Sequence, residues 1–313
     1  MKIKNEVLQD FYLLTNYLKK ENKTKNLNEY KKDFAAFLLH ANHIKAYDFI
    51  APFCKNKKVL DIGCFIGYGE TRIFSKAKEI IAIDNDDKAL EFARKNRLIP
   101  NVRFEKAYAR RLPFSNETFD VVIASQLIEH IPQNGVNNFL REVKRVLKEK
   151  GLLFVITPNR KFRLMPFQRP FNPEHCQEFT AKGLLNVLKI FFKDVVIKGT
   201  RAKNWIEEIE KKRISKSPFR AYIYYPFYRF LNMIFSTRIK NWLKRNKQKL
   251  IKSFRIKNRL TSDSDNQIFN NLFQKFSMED FYLENQALDK SMDLFAICKK
   301  DTQNKRNKKF IKE

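Results

Sequence analysis

The sequence predicts an α/β protein: a doubly wound, seven-stranded sheet with helices ahead of it and a basic, aromatic helical insertion before its last strand. Three observations carry that expectation. Short β-branched apolar runs alternate with amphipathic stretches at connections too short for anything but strand–helix–strand units. The stretch Val59 to Glu70, VLDIGCFIGYGE, reads as a strand entering a glycine-bearing turn and then a helix. Asp84, about twenty residues downstream, ends a second apolar strand, where a carboxylate can accept hydrogen bonds from a ribose diol.

Val7, Leu8, Phe11, Leu14 and Leu18 recur at helical spacing, so a helix is predicted over 6–19, and a second amphipathic helix over 33–50. The alternation then begins, with strand 58–62, helix 68–76, strand 79–83, helix 87–96 and strand 102–106. It continues through strand 119–125, helix 137–148, strand 152–157, helix 181–191 and strand 194–198, and the last strand is placed at 292–298. Asp86 or Asp87 caps the helix after the second strand, and Gly151 is read as following the lysine-rich end of the helix before it. The expected sheet is parallel, covered by helices on both faces, with a ligand at the carboxyl ends of the strands beside the first one. The chain divides into leader helices over 1–52, a core over 53–200, the insertion over 201–277, the returning strand over 278–300 and a basic tail over 301–313. There is no internal repeat.

With 313 residues and 43% hydrophobic content, the chain can bury one large core. The formal net charge of +29 suits an anionic partner, although abundant Lys, Asn, Ile and Phe also fit a compositional bias of the source. Cys54, Cys64, Cys176 and Cys298 are scattered, with neither the paired spacing of a zinc site nor a disulfide framework. The first residues lack the apolar core of a signal peptide and no run of 18 apolar residues occurs, so the expected setting is cytoplasmic.

Several segments go together. They are Asp61-Ile62-Gly63-Cys64-Phe65-Ile66-Gly67-Tyr68-Gly69 with Asp84, Arg111-Leu112-Pro113-Phe114 before Phe119-Asp120-Val121-Val122-Ile123, and Ser125-Gln126-Leu127-Ile128-Glu129-His130-Ile131. Further along come Val146-Leu147-Lys148 through Gly151-Leu152-Leu153, Thr157-Pro158-Asn159, and Asn172-Pro173-Glu174-His175 followed by Glu178-Phe179-Thr180. Over roughly 43–199 and 287–299 the chain resembles the class I S-adenosylmethionine-dependent methyltransferases, and more narrowly the group associated with glycan and lipopolysaccharide biosynthesis. The resemblance implies a Rossmann-like core and S-adenosylmethionine as cofactor. It implies that Asp61, Gly63, Cys64 and Gly67 cradle the amino-acid end and that Asp84 holds the ribose. Asn85 would lie beside the adenine, Ala109 and Arg110 would flank it, and Ser125 to Leu127 would line the floor. His43 would close over the cofactor from the leader helix. Asp61 acting only as a cap of the turn is the alternative. The chain departs from the family at Phe65, where glycine is usual, and near Tyr108, where an acidic residue often reads the adenine. A side chain at Phe65 must point away from the methionine end or crowd it.

Methyl transfer from a sulfonium is an in-line displacement, so positioning dominates and few catalytic groups are needed. If the acceptor is a hydroxyl, a histidine is a suitable base. His130 and His175 both fall on loops at the carboxyl edge of the predicted sheet, with Glu129 beside the first, and His130 is preferred because it follows directly from the fourth strand. A purely structural role for either histidine stays open. Glu129, His130 and His175 show no recognised metal-ligand spacing, so no metal ligand is assigned and metal dependence stays open.

Between Lys211 and Leu260 there are sixteen Lys or Arg, no Asp or Glu, and ten aromatics. Such a segment suits an anionic membrane surface, a structural or lid subdomain, or a nucleic-acid track. The expected activity is methylation of an oxygen on a sugar or other small acceptor, such as a lipid-linked glycan. The alternatives are an RNA methyltransferase, against which Ser125-Gln126-Leu127-Ile128 lacks a Pro-Pro-aromatic base clamp, and a non-catalytic relative, for which Phe65 and Tyr108 speak.

Overall fold

The computed structural model describes residues 2–20, 33–166, 168–170, 172, 174–214 and 262–301. Helices α1 (Lys2–Lys20) and α2 (Phe34–Ile50) precede strand β1 (Lys58–Ile62), α3 (Glu70–Ile73), β2 (Glu79–Asp84), α4 (Asp87–Asn96) and β3 (Val102–Lys106). Next come β4 (Phe119–Ser125), α5 (Gln133–Val146), β5 (Leu147–Pro158), α6 (Arg160–Arg163), α7 (Ala181–Lys189) and β6 (Asp194–Ala202). Helices α8 (Asn204–Ile214) and α9 (Ser262–Lys275) lead to β7 (Phe281–Glu284) and β8 (Asp293–Lys299). The bulk of the basic, aromatic segment, 215–261, lies outside the described residues.

The strands form one eight-stranded sheet in the order β3-β2-β1-β4-β5-β8-β6-β7. The first five are parallel, β8 runs antiparallel to β5 and β6, and β7 antiparallel to β6. The all-parallel, seven-stranded expectation is therefore corrected to a mixed sheet of eight. The strand the sequence hid is β7, four residues long and paired with Gly199–Ala202 at the end of β6. The strand expected over 194–198 runs on through Gly199, where a Cβ would lie 1.7 Å from Ser291 Oγ.

Two other boundaries differ for local reasons. The helix expected over 68–76 shrinks to α3, because the chain is still turning at Gly67, with φ +74, and Gly69 lies against the Tyr47 ring. The lysine-rich end of the helix expected over 137–148 is strand instead. Helix α5 spans Gln133–Val146 after Pro132 at its N-cap, and Lys148 to Lys150 form an irregularity in β5, with Lys150 at φ +61. Asp86 caps α4 as expected, accepting from the amides of Lys88 and Ala89.

Both faces of the central strands are apolar, which is why helices cover both. Leu60, Ile62, Val122, Ala124, Leu153 and Val155 face Phe139, Leu140 and Val143 of α5 and Leu184 and Leu188 of α7. The alternate residues Val59, Val121, Ile123, Phe154 and Ile156 face Ala46, Tyr47 and Ile50 of α2 and Leu90 and Ala93 of α4. Each such side chain contributes roughly 1.5–3 kcal/mol on burial. Helix α2 is buried on nearly every side, since its outer residues Phe34, Phe37 and Leu38 pack under α1, α8 and α9. From β1 the chain winds to β2 and β3 on one side, then returns to β4 and β5 on the other. That reversal opens a crevice at the carboxyl ends of β1 and β4.

Candidate active site

The turn after β1 forms one wall of the crevice. Gly63 (φ +81), Phe65 (φ +50) and Gly67 (φ +74) all lie in the left-handed region. The amides of Gly63 and Cys64 both donate to the Ile83 carbonyl, at 2.7 and 3.1 Å. The Phe65 amide donates to Asp84 Oδ2 at 2.8 Å, and Asp84 Oδ1 accepts from the Asp86 amide at 2.9 Å. One carboxylate thus ties the glycine turn to the end of β2. Asn85, next to it, is exposed.

Phe65, where a glycine was expected, adopts the glycine-like backbone and turns its ring outward against Tyr17 of α1, 5.2 Å between centroids. Leu14, Leu18 and Phe92 complete that contact. The Tyr17 hydroxyl donates to Asp86 at 3.3 Å, so α1 is attached at two points beside the turn. The Cys64 side chain faces the core, where burial pushes its thiol well above the usual range, and only its backbone belongs to the turn. Asp61 also points inward, beside Tyr47 of α2 and Glu70 of α3. Burial pushes Asp61 up to about 7, and burial together with the Asp61 charge holds Glu70 well above the carboxylate range.

The floor comes from the end of β4. A Cβ added to Gly63 would lie 3.1 Å from Leu127 Cδ1, so Gly63 and Leu127 are in direct apposition. Ser125 Oγ and Gln126 Nε2 are buried and find no hydrogen-bond partner among the described residues, and Gln126 holds φ +54. Ala109 packs on the α5 side of the sheet, whereas Arg110 is exposed and runs its stem over Gly135 at the start of α5. Tyr108 is exposed. Burial, then the charges of Arg163 and Arg213, lowers His43 to about 3. It is His40, one turn earlier, that meets Tyr68 of the turn, 5.2 Å ring to ring.

The opposite wall is a 3-10 turn, Ile128–His130, whose last amide donates to the Leu127 carbonyl at 2.9 Å. The loop carrying His175 is tied to it, because Cys176 N donates to Glu129 O at 2.8 Å and Gln177 Nε2 to Ile131 O at 3.0 Å. The rings of His130 and His175 meet edge to face with centroids 4.8 Å apart. Glu129 is fully buried. Its Oε2 accepts from Thr157 Oγ1 of β5 at 2.9 Å, while Oε1 finds no partner among the described residues. Burial pushes Glu129 up to about 8, and burial followed by the neighbouring His175 lowers His130. His175 Nδ1 lies 3.0 Å from Oε1 of buried Glu178, one helical turn along the chain.

Sequence reading placed His175 on a different loop from the Glu129-His130 pair, and the fold brings the two loops together. It missed Thr157 and Glu178, which orient that cluster, and Glu70 and Tyr47, which surround Asp61. The three-residue spacing of His175 and Glu178 was the one available signal; the other partners come from elements remote in sequence.

A family model described as a methyltransferase domain matches residues 54–215. A probable S-adenosylmethionine-dependent methyltransferase of Mycobacterium tuberculosis is 37% identical over 146 residues, 47% of this chain and 52% of that protein. A ubiquinone biosynthesis O-methyltransferase of Bartonella tribocorum is 28% identical over 173 residues, 54% of this chain and 67% of that protein. The chain spans about half the length of the mycobacterial relative it matches. The solved YcgJ protein of Bacillus subtilis superposes with a TM-score of 0.45 at 15% identity, over 83% of this chain and 98% of its own.

Proposed function

Since the chain belongs to the methyltransferase-domain family, we propose that it is an S-adenosylmethionine-dependent enzyme that methylates an oxygen of a sugar or other small hydroxylated acceptor. The observation that supports the reading is the apposition of Gly63, in the turn that Asp84 ties to β2, with Leu127, which leads directly into the turn bearing Glu129 and His130, against which His175 packs. The wall formed by the glycine turn fits a nucleoside-bearing cofactor. Gly63 leaves room that a Cβ would fill, Ser125 Oγ and Gln126 Nε2 are buried and unsatisfied, and Asp84 has lone pairs beyond those given to two amides. When bound, the cofactor supplies a methyl carbon on a sulfonium.

The residues of this chain then do the following. Asp84 accepts from the ribose hydroxyls, and the backbone at Gly63 and Gly67 lets the ligand approach closely. Leu127 excludes water from the floor, and Asn85 and Ala109 stand at the adenine side. His130, neutral because burial disfavours its cation, takes the acceptor's hydroxyl proton on a ring nitrogen. Glu178 holds the His175 ring in one orientation beside it. The mycobacterial and Bartonella relatives support the cofactor and the oxygen acceptor in kind. The glycan assignment rests on the resemblance of the 172–180 segment, whose Cys176 and Gln177 are hydrogen-bonded to Glu129 and Ile131 beside His130.

Calorimetry with S-adenosylmethionine tests the cofactor. Incubation with methyl-labelled cofactor and a cell extract split into lipid, nucleotide-sugar, RNA and protein fractions then tests the acceptor. Label in a glycan-bearing fraction is expected; label confined to RNA would overturn the small-acceptor reading. We further propose that the 211–260 segment docks on anionic membrane, a reading supported by its composition alone. Flotation with anionic liposomes tests it, and failure to bind at low salt removes it.

A further inference from the structure

We propose that Glu129, His130 and His175 form a binding site for a divalent first-row transition-metal ion, placed to ligate the acceptor's hydroxyl oxygen. The proposal deepens the methyltransferase reading and rests on it for the identity of the acceptor. The site itself rests on geometry that is independent of it.

One carboxylate oxygen of Glu129 and one ring nitrogen from each histidine all lie within 4.8 Å of one another. Ligands at about 2.1 Å from a shared ion stand roughly 3–4 Å apart, so shifts on the order of 1 Å close the set. Three further observations make this a built site. First, Glu129 is fully buried and already oriented. Thr157 holds Oε2, and Oε1 has no partner among the described residues, a costly arrangement for a carboxylate that a cation would relieve. Second, His175 Nδ1 is occupied by Glu178, which leaves Nε2 as the ligating nitrogen. A carboxylate behind a ligating histidine is how metal-binding imidazoles are oriented and made more basic. Third, the hydrogen bonds from Cys176 and Gln177 fix the two histidine-bearing segments against each other, so the donors do not depend on a free loop.

Two imidazoles and a carboxylate suit zinc, manganese, iron or cobalt better than magnesium or calcium, and three protein ligands leave positions open for substrate. The ion would act as a Lewis acid on the acceptor. Coordination lowers the hydroxyl's pKa and its proton leaves to solvent. The oxygen then forms its bond to the methyl carbon as the carbon–sulfur bond breaks, with the electron pair staying on sulfur. No group is oxidised or reduced. In this arrangement His130 is a ligand, and the proton assigned to it in the base reading goes to water.

The test uses the full chain after chelator treatment, titrated with Co²⁺ and followed by its visible d–d absorption, with Zn²⁺ as competitor. One saturable site per chain is expected. Affinity should fall at least about tenfold in Glu129→Gln and in His175→Gln, and about 10–100-fold in Glu178→Gln, which removes only the outer partner. Circular dichroism melting checks folding, and Glu178→Gln carries the test if the buried Glu129 variant fails to fold. Absence of a saturable site, or equal Co²⁺ affinity in wild type and the folded variants, overturns the proposal. Calorimetry with S-adenosylmethionine on the same samples separates the two readings. Cofactor binding without Co²⁺ binding rejects the metal site alone, and Co²⁺ binding without cofactor binding rejects the methyltransferase reading alone.

Discussion

Asp84 is the residue on which the proposed cofactor wall depends twice, and Asp84→Asn tests both dependences. In the native protein Oδ2 accepts from the Phe65 amide at 2.8 Å and Oδ1 from the Asp86 amide at 2.9 Å. An asparagine keeps one carbonyl oxygen and replaces the other with an NH₂ that cannot accept, so one of the two amides is left facing a donor. A hydrogen bond to a charged group contributes about 1.5–3 kcal/mol. The turn should lose that much, which for a domain of this size lowers the melting temperature by roughly 3–10 °C. Cofactor binding loses a second quantity. The ribose diol now meets a neutral amide in place of a carboxylate, and at 1.4 kcal/mol per decade the dissociation constant should rise at least about tenfold. Differential scanning calorimetry measures the first effect and isothermal titration with S-adenosylmethionine the second. If Asp84→Asn melts normally and binds the cofactor within twofold of wild type, the carboxylate neither clamps the turn nor reads the ribose. A lowered melting temperature with unchanged affinity would leave Asp84 a structural clamp only.

Three other substitutions probe the same wall. Gly67→Ala forces an L side chain to φ +74 and sets its Cβ 2.7 Å from the Phe104 ring. A loss of about 2–5 kcal/mol is expected in urea unfolding, and a variant as stable as wild type refutes the turn geometry. Phe65→Gly removes the left-handed strain but also the ring that rests on Tyr17, so α1 should be clipped faster in limited proteolysis. Unchanged clipping means the ring does not hold α1. Burial, then the nearby His43 and Arg97, depresses the buried His40 to about 3, against about 6.5 unfolded. The unfolded chain therefore takes up the proton first, and the contribution present above pH 6.5 is lost as pH falls toward 3, at about 1.4 kcal/mol per unit. His40→Asn should flatten the slope of unfolding free energy between pH 5.5 and 4 by about one proton. An unaltered slope would mean that His40 is already charged in the fold.

How much of this was legible depended on how local each cause was. The parallel strands β1 to β4 and helix α4 follow from apolar period and a capping aspartate, and their boundaries lie within a residue or two of expectation because nothing remote alters them. The errors fall where a distant element decides. The strand expected to stop at 198 runs on to Ala202 because β7 and β8 pair with it there, and Ser291 packs where a side chain at Gly199 would be. Lys148 to Lys150 read as the end of a helix, yet they are an irregularity drawn into the sheet by β4. Phe65 looked like an obstruction at the turn; Tyr17, 48 positions earlier, gives its ring another place.

The same distinction explains the site. The glycine turn and Asp84 are separated by one strand–helix–strand unit, so their meeting follows from the fold class alone. The histidine cluster does not follow from it. His130 closes the 3-10 turn after β4, Thr157 lies at the end of β5, and the described residues around His175 and Glu178 belong to no helix or strand before α7 begins. What converges them is a set of hydrogen bonds from Cys176 and Gln177 to the carbonyls of Glu129, His130 and Ile131, contacts that no periodicity encodes. A buried carboxylate with one oxygen held by Thr157 and the other lacking a partner among the described residues, with two imidazoles against each other beside it, is therefore a property of the assembled crevice. Sequence spacing gave no reason to expect a metal there, because ligand spacing along a chain is informative only when one local element carries the ligands. Here two segments remote from each other in the chain supply them.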